Sequence, residues 1–183
     1  VGGLDFAAGD LVIPLYDLSG HLVNAQLISG AGKKCTLAGG QVTGAAHHFE
    51  GNDNTVIWMA EGYATGLTIH ALTGETVYVT MGANNFPHLA ECLREKYPDA
   101  LLLMAADNDE NGTGQKKAKE AANLVNGNVA IPLIAGDWND VFMQEGRDKA
   151  LKQLRAFTQQ SPKSPFETVS DADLKAMSQS EKC

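Results

Sequence analysis

Four short apolar runs constrain this chain more than anything else in it: TVIWMA (55–60), TVYVTM (76–81), ALLLMAA (100–106) and VAIPLI (129–134). Each has the length of a strand buried on both faces, and none approaches the roughly 20 apolar residues of a membrane span. Helical patterns separate them. GYATGLTIHALTG (62–74) sets Ala64, Leu67 and Ala71 at helical spacing, with Gly74 as its stop. PHLAECLREKYP places Leu89, Cys92, Leu93 and Tyr97 on one face, behind a cap at Asn85. Residues 113–126 read as a further helix closed by Gly127, and RDKALKQLRAF keeps the period with Ala150, Leu151, Leu154 and Phe157. Strand alternating with helix at this pace predicts βαβ units, hence an α/β fold whose largely parallel sheet is covered on both faces.

The first fifty residues follow another grammar. Two β-rich runs flank the turn formers Asp17-Leu18-Ser19-Gly20, which predicts a hairpin. Glycine then recurs every few residues up to Gly51, too often for a helix. The expected organisation is a small antiparallel β subdomain over 1–53, a parallel-sheet domain over 54–160, and a linker and polar tail over 161–183 that begins with SPKSP. Opening on Val1 rather than Met, the sequence reads as a piece of something longer.

Charge narrows the possible partners. With 22 Asp and Glu against 14 Lys and Arg, the formal charge is −8, so the chain does not grip nucleic acid by bulk electrostatics. Before Arg94 the only basic residues are Lys33 and Lys34, and any phosphate-binding surface must be local. Three scattered cysteines make neither a disulfide framework nor a metal knuckle, which points to a reducing cytoplasm.

Parallel α/β sheets bind ligands beyond the carboxyl ends of their strands. Glu61 follows the first run, Asp107, Asn108 and Asp109 follow the third, and Asp137 and Asp140 follow the fourth. If the strand persists, Asp107 and Asp109 point the same way. Carboxylates gathered at one rim repel unless a proton or cation intervenes, and oxygen ligands without His or Cys favour Mg²⁺ or Mn²⁺. Metal-assisted phosphate chemistry is the expectation. Plainer readings stand beside it: Asp107 and Asp109 as a strand end and helix cap, Glu61 as a helix-dipole charge, Asp137 as an N-cap. An EF-hand loop beginning at Asp107 fails because its twelfth position is Ala118. Lys33 and Lys34 are either a solvated turn or phosphate contacts, and Lys116, Lys117 and Lys119 an exposed helix face or, less simply, substrate contacts. His47-His48 has no partner ligands at useful spacing, and Trp58 and Trp138 read as core.

The strand followed by Glu61-Gly62, and the strand followed by Asp107-x-Asp109-x-x-Gly112, resemble the Toprim domain of primases, topoisomerases and some nucleases. EGYATGLTIH, MGANN, AADNDENGTGQ and GDWNDV carry the likeness, which is nearest to the primases of plasmid and satellite-phage primase-helicase proteins. The resemblance implies a Toprim-like, Rossmann-like parallel core behind an N-terminal β subdomain. It implies a DNA primase that condenses nucleoside triphosphates on single-stranded DNA by two-metal chemistry, with a replicative helicase domain in cis or in trans. By motif position Glu61 is the catalytic glutamate, Asp107 and Asp109 the metal pair, and Asp140, then Asp137, the later acidic element. Lys33, Lys34, Lys116 and Lys117 are the candidate nucleotide or DNA contacts. Thr65 departs from the Asp that replicative primases carry four residues after the glutamate. A Toprim nuclease and a non-catalytic metal- or nucleotide-binding module are the alternatives.

Overall fold

The computed structural model describes residues 8–159; the linker and tail expected over 161–183 lie outside the described residues. The chain builds a three-stranded antiparallel sheet from β1 (Leu11–Tyr16), β2 (Leu22–Ile28) and β3 (Lys34–Thr36). Asp17 closes the hairpin by accepting hydrogen bonds from the backbone N–H groups of Ser19 and His21, both at 2.9 Å. A second sheet follows, with strand order β4-β6-β5-β7-β8. It comprises β4 (His47–Phe49), β5 (Val56–Ala60), β6 (Thr76–Val79), β7 (Leu101–Ala105) and β8 (Asn128–Ala130). β5 to β8 run parallel, and β4 adds an antiparallel edge against β6, so the first fifty-three residues contribute a strand to the main sheet. His47 and His48 therefore lie in an edge strand.

Alternation along the strands sorts the core into two layers. Ile57, Met59, Leu102 and Met104 face α2 (Phe86–Lys96) and α3 (Thr113–Val125), whose Phe86, Leu89, Leu93, Ala121 and Val125 cover them. Trp58, Ala60, Leu103 and Ala105 face α1 (Tyr63–Thr73), α4 (Trp138–Glu145) and α5 (Arg147–Thr158), which contribute Ile69, Trp138, Val141, Ala150 and Leu154. Each strand is buried on both faces, which is why the four runs are continuously apolar rather than alternating. Both tryptophans are core, as expected.

The expectations for the face of α1 and for the length of the fourth strand fail for physical reasons. In α1 the face marked by Ala64, Leu67 and Ala71 points outward, with Leu67 43% exposed, while Thr65, Gly66, Ile69 and Leu72 are buried. The helix is apolar nearly all round, so its period cannot choose a face. The choice falls to close approach: a Cβ on Gly66 would stand 2.5 Å from Val79 Cγ2. The fourth strand stops at Ala130, and 131–134 run on as a loop that includes Pro132, which has no N–H for a ladder. The carbonyls of Pro132 and Ile134 instead accept from Asn108 Nδ2, at 3.2 and 3.1 Å.

The small sheet seats on the large one through Ile13, Leu15 and Ala45, packed with Tyr63 and Met81. Asn85 pins the joint. It precedes α2, yet its side chain, 6% exposed, does not cap that helix. Its Oδ1 accepts from Gly44 N at 2.8 Å, while Nδ2 donates to the Ala45 carbonyl at 2.8 Å and the Thr80 carbonyl at 3.2 Å.

Candidate active site

The strand order places the chain's reversal at β5: β6 lies on one side of it and β7 on the other. The helices after β5 and β7 cover opposite faces, so a crevice opens beyond their carboxyl ends, where α/β sheets take their ligands. Glu61 leaves β5 and Asp107 follows β7, and the two carboxylates line one pocket of about 140 Å³ with Asp137, Thr65, Gly62, Gln26, Met81 and Lys34. Acids 76 residues apart at the extremes thus meet at one rim. Lys34 enters from β3, its ammonium lying against Gly62.

Each acid is held differently. Glu61 accepts a hydrogen bond from the Ala83 N–H, and its Oε2 would be 3.2 Å from a Cβ on Gly114, in the first turn of α3. Burial raises its pKa above the ordinary carboxylate value, the Ala83 N–H opposes the rise, Asp109 adds to it and Lys34 offsets part. Asp107 is pushed up to about 6, by burial first and then by the charges of Asp137, Glu61 and Asp109, with Lys34 pulling the other way. Its Oδ1 is buried with no hydrogen-bond partner.

Asp109 departs from the expected arrangement. The strand ends at Ala105, so alternation does not carry past it, and Asp109 is exposed, accepting from Gly112 N at 2.9 Å. Its charge is felt by Glu61 and Asp107, but it does not line the pocket. Asp137 and Asp140 form a capping box at the start of α4. Asp140 N–H donates to Asp137 Oδ1 and Asp137 N–H to Asp140 Oδ2, both at 2.9 Å, so the plain reading of Asp137 as an N-cap holds. Asp137 nevertheless also lines the pocket, where its Oδ2 accepts the Thr65 hydroxyl at 2.7 Å, whereas Asp140 faces away into the box. Of the lysines among the described residues, Lys34 alone lines the pocket. Lys117 pairs with Glu120 at 2.8 Å, Lys116 is exposed on α3, and the Lys33 backbone N–H closes a turn onto Ser29 Oγ.

Sequence reasoning did not pick out Asn108, Met81 or Gly136 as parts of the site. Asn108 exchanges backbone hydrogen bonds with Gly136 at 2.8 and 3.0 Å, tying the Asp107 loop to the loop that delivers Asp137. Met81 lines the pocket at φ +57°, a conformation that costs a side chain energy and concentrates at functional sites. Gly136 adopts φ +107°, and a Cβ there would meet Asp140 Oδ2 at 2.2 Å. The Asp-x-x-Asp spacing before an apolar helix was the available signal for that box.

Among the described residues no three Asp, Glu, His or Cys side chains converge closely enough to cage an ion by themselves. The pocket nevertheless fits a hard divalent cation. Its donors are carboxylate oxygens, the unpartnered buried Oδ1 of Asp107 lacks the cation or donor that such an atom demands, and Mg²⁺ commonly takes only one or two protein carboxylates.

Two Escherichia coli proteins named DNA primase TraC are 30% and 28% identical over 134 residues, 67% of this chain in each case. The chain spans only 13% and 9% of their lengths. The primase fragment of the bacteriophage T7 primase-helicase superposes with a TM-score of 0.61 at 19% identity, over 81% of this chain and 65% of that one. The RNA polymerase domain of Mycobacterium tuberculosis primase DnaG gives 0.62 at 19%, over 91% and 62%. At such identity these two likenesses speak to the fold. Residues 56–148, which run from the first parallel strand through Asp140 and hold every pocket acid, match the Toprim domain, and the chain belongs to that family.

Proposed function

We propose that this chain is the catalytic core of a DNA primase, synthesising short RNA primers from nucleoside triphosphates on a single-stranded DNA template with Mg²⁺ or Mn²⁺. One observation carries the reading: Glu61 and Asp107 share a pocket with Lys34, which alone among the described lysines lines it. Asp107 and Glu61 would hold the ion, which when bound supplies Lewis-acid stabilisation of the triphosphate and the leaving pyrophosphate. Glu61, at the same rim, would draw the proton from an attacking 3′-hydroxyl. Lys34 offers a cation to the phosphates, and Asp109 adds negative charge at the mouth. Lys33, Lys116 and Lys117 contact template or nucleotide more peripherally.

The relatives named as DNA primases support this reading, as does the superposition on a primase-helicase fragment. Residues 1–53 then act as the N-terminal primase subdomain, 54–160 as the Toprim catalytic domain, and 161–183 as the join toward a helicase domain, in cytoplasmic replication. None of the described helices is long and apolar enough to cross a membrane.

The test is primer synthesis on single-stranded DNA with labelled ribonucleotides and Mg²⁺ or Mn²⁺. Incorporation is expected, and Asp107→Ala should reduce it by about a thousandfold or more, in keeping with loss of several kcal/mol of metal-borne stabilisation. Template nicking without incorporation would make the chain a Toprim nuclease, and ion binding without turnover in the full-length protein would make it a non-catalytic module.

A further inference from the structure

The acids of the pocket differ in how many of their oxygens are already taken. Asp137 has both engaged, Oδ1 by Asp140 N–H at 2.9 Å and Oδ2 by the Thr65 hydroxyl at 2.7 Å. Thr65 lies four residues beyond Glu61 on the inner face of α1 and is 2% exposed, so its hydroxyl has no water to turn to and donates within the protein. Asp140 is closed into the box beneath. Asp107 Oδ1, by contrast, is buried and accepts nothing. The charges lining the pocket are three carboxylates, Glu61, Asp107 and Asp137, against the single ammonium of Lys34. Two negative charges remain, which one divalent ion neutralises. A carboxylate in place of the Thr65 hydroxyl would leave three, with two acids face to face at hydrogen-bond distance, an arrangement that calls for a second cation.

We infer that Thr65 is a positioning residue that fixes Asp137 as an anchored anion rather than a free ligand, and so limits the nucleotide-free chain to one divalent ion, held on Asp107 and Glu61. This rests on the metal-dependent reading above. Any second ion used in turnover would then arrive with the triphosphate, whose oxygens complete its coordination.

The experiment is a Mn²⁺ titration of the full chain without nucleotide, followed by the electron paramagnetic resonance of free Mn²⁺ and by calorimetry. Native protein and Thr65→Ser should bind one ion per chain, and Thr65→Asp two. Thr65→Val, which keeps the shape and the charge count but removes the donor, frees Asp137 Oδ2 to ligate and should bind its one ion about tenfold more tightly, whereas unchanged or weaker binding would refute the inference. Return to native affinity in Thr65→Ser separates that effect from simple disturbance of α1. Two ions on the native chain, one of them lost in Asp137→Asn, would overturn the inference and leave the metal-dependent reading intact. No Mn²⁺ bound by the native chain would overturn both. Should Thr65→Val not fold, the Thr65→Asp stoichiometry decides alone, and a value of one refutes the inference.

Discussion

Segments 107–112 and 137–140 are both short acidic stretches that follow strands of the same sheet and precede helices, yet their carboxylates meet opposite fates. In the second, acids three apart at a helix start reach each other's backbone N–H groups and satisfy themselves as a capping box. In the first, the acids are two apart and set back from α3 by a turn, so no such closure forms. Asp109 bends to Gly112, and Asp107 is left half-buried, with a buried unpartnered Oδ1 and a raised pKa. Spacing of a single residue thus accompanies the difference between a pair that satisfies itself and one that leaves a buried oxygen without a partner. The two segments remain physically coupled, because Asn108 is bonded through its backbone to Gly136 and Asp137 contributes to the rise at Asp107.

That contrast is open to attack from the structural side first. Gly136→Ala leaves every acid in place but inserts a Cβ 2.2 Å from Asp140 Oδ2 at a φ of +107°. A loss of about 2–4 kcal/mol is expected from the clash and the strained backbone, read from urea unfolding. Native-like stability would mean that the box is looser than it looks.

Asp107→Asn attacks the other segment and should act with the opposite sign. Because the native acid binds its proton more tightly folded than unfolded, its ionisation destabilises the fold. That penalty is absent below pH 4, grows between the ordinary value of 3.8 and about 6, and is complete above it. The Asn variant should therefore be more stable than native at pH 7, by about 1–2 kcal/mol once screening at the pocket mouth is allowed for, with the gap closing by pH 4. A gap that persists at pH 4 would assign the effect to packing instead of charge.

The smallest effect separates the two neighbouring lysines. Lys34→Ala should reduce the salt dependence of single-stranded DNA or nucleotide binding by about 0.7 in the log–log slope, the contribution of one phosphate contact. Lys33→Ala, whose ammonium is not directed into the pocket, should change that slope less. Equal slopes for the two variants would remove Lys34 from the site.

Much of this molecule was legible because burial on both faces leaves a plain trace. The four apolar runs became the four parallel strands, and of the acids after them Glu61, Asp107 and Asp137 line one pocket where such sheets present their ligand side, while Asp109 and Asp140 do not. The face of α1 was illegible for the opposite reason, since Ala64, Leu67 and Ala71 are as apolar as the residues that were buried. Asn85 looked like a helix cap because Asn before an amphipathic run ordinarily is one. Its real partners, Gly44 and Ala45, lie about forty residues away in the chain, and no local pattern encodes them.

By itself the sequence determined the α/β class, the strand and helix order, the hairpin at the start, and the presence of acids at strand ends, because these follow from local periodicity and turn chemistry. Only the tertiary structure decided which of those acids share a pocket, that Lys34 crosses from the small sheet to meet them, and that Thr65 rather than solvent completes Asp137. The physical reason is range. Periodicity acts over a few residues, whereas desolvation and the Coulomb field at Asp107 are summed over groups that only the packed sheets bring within reach of one another.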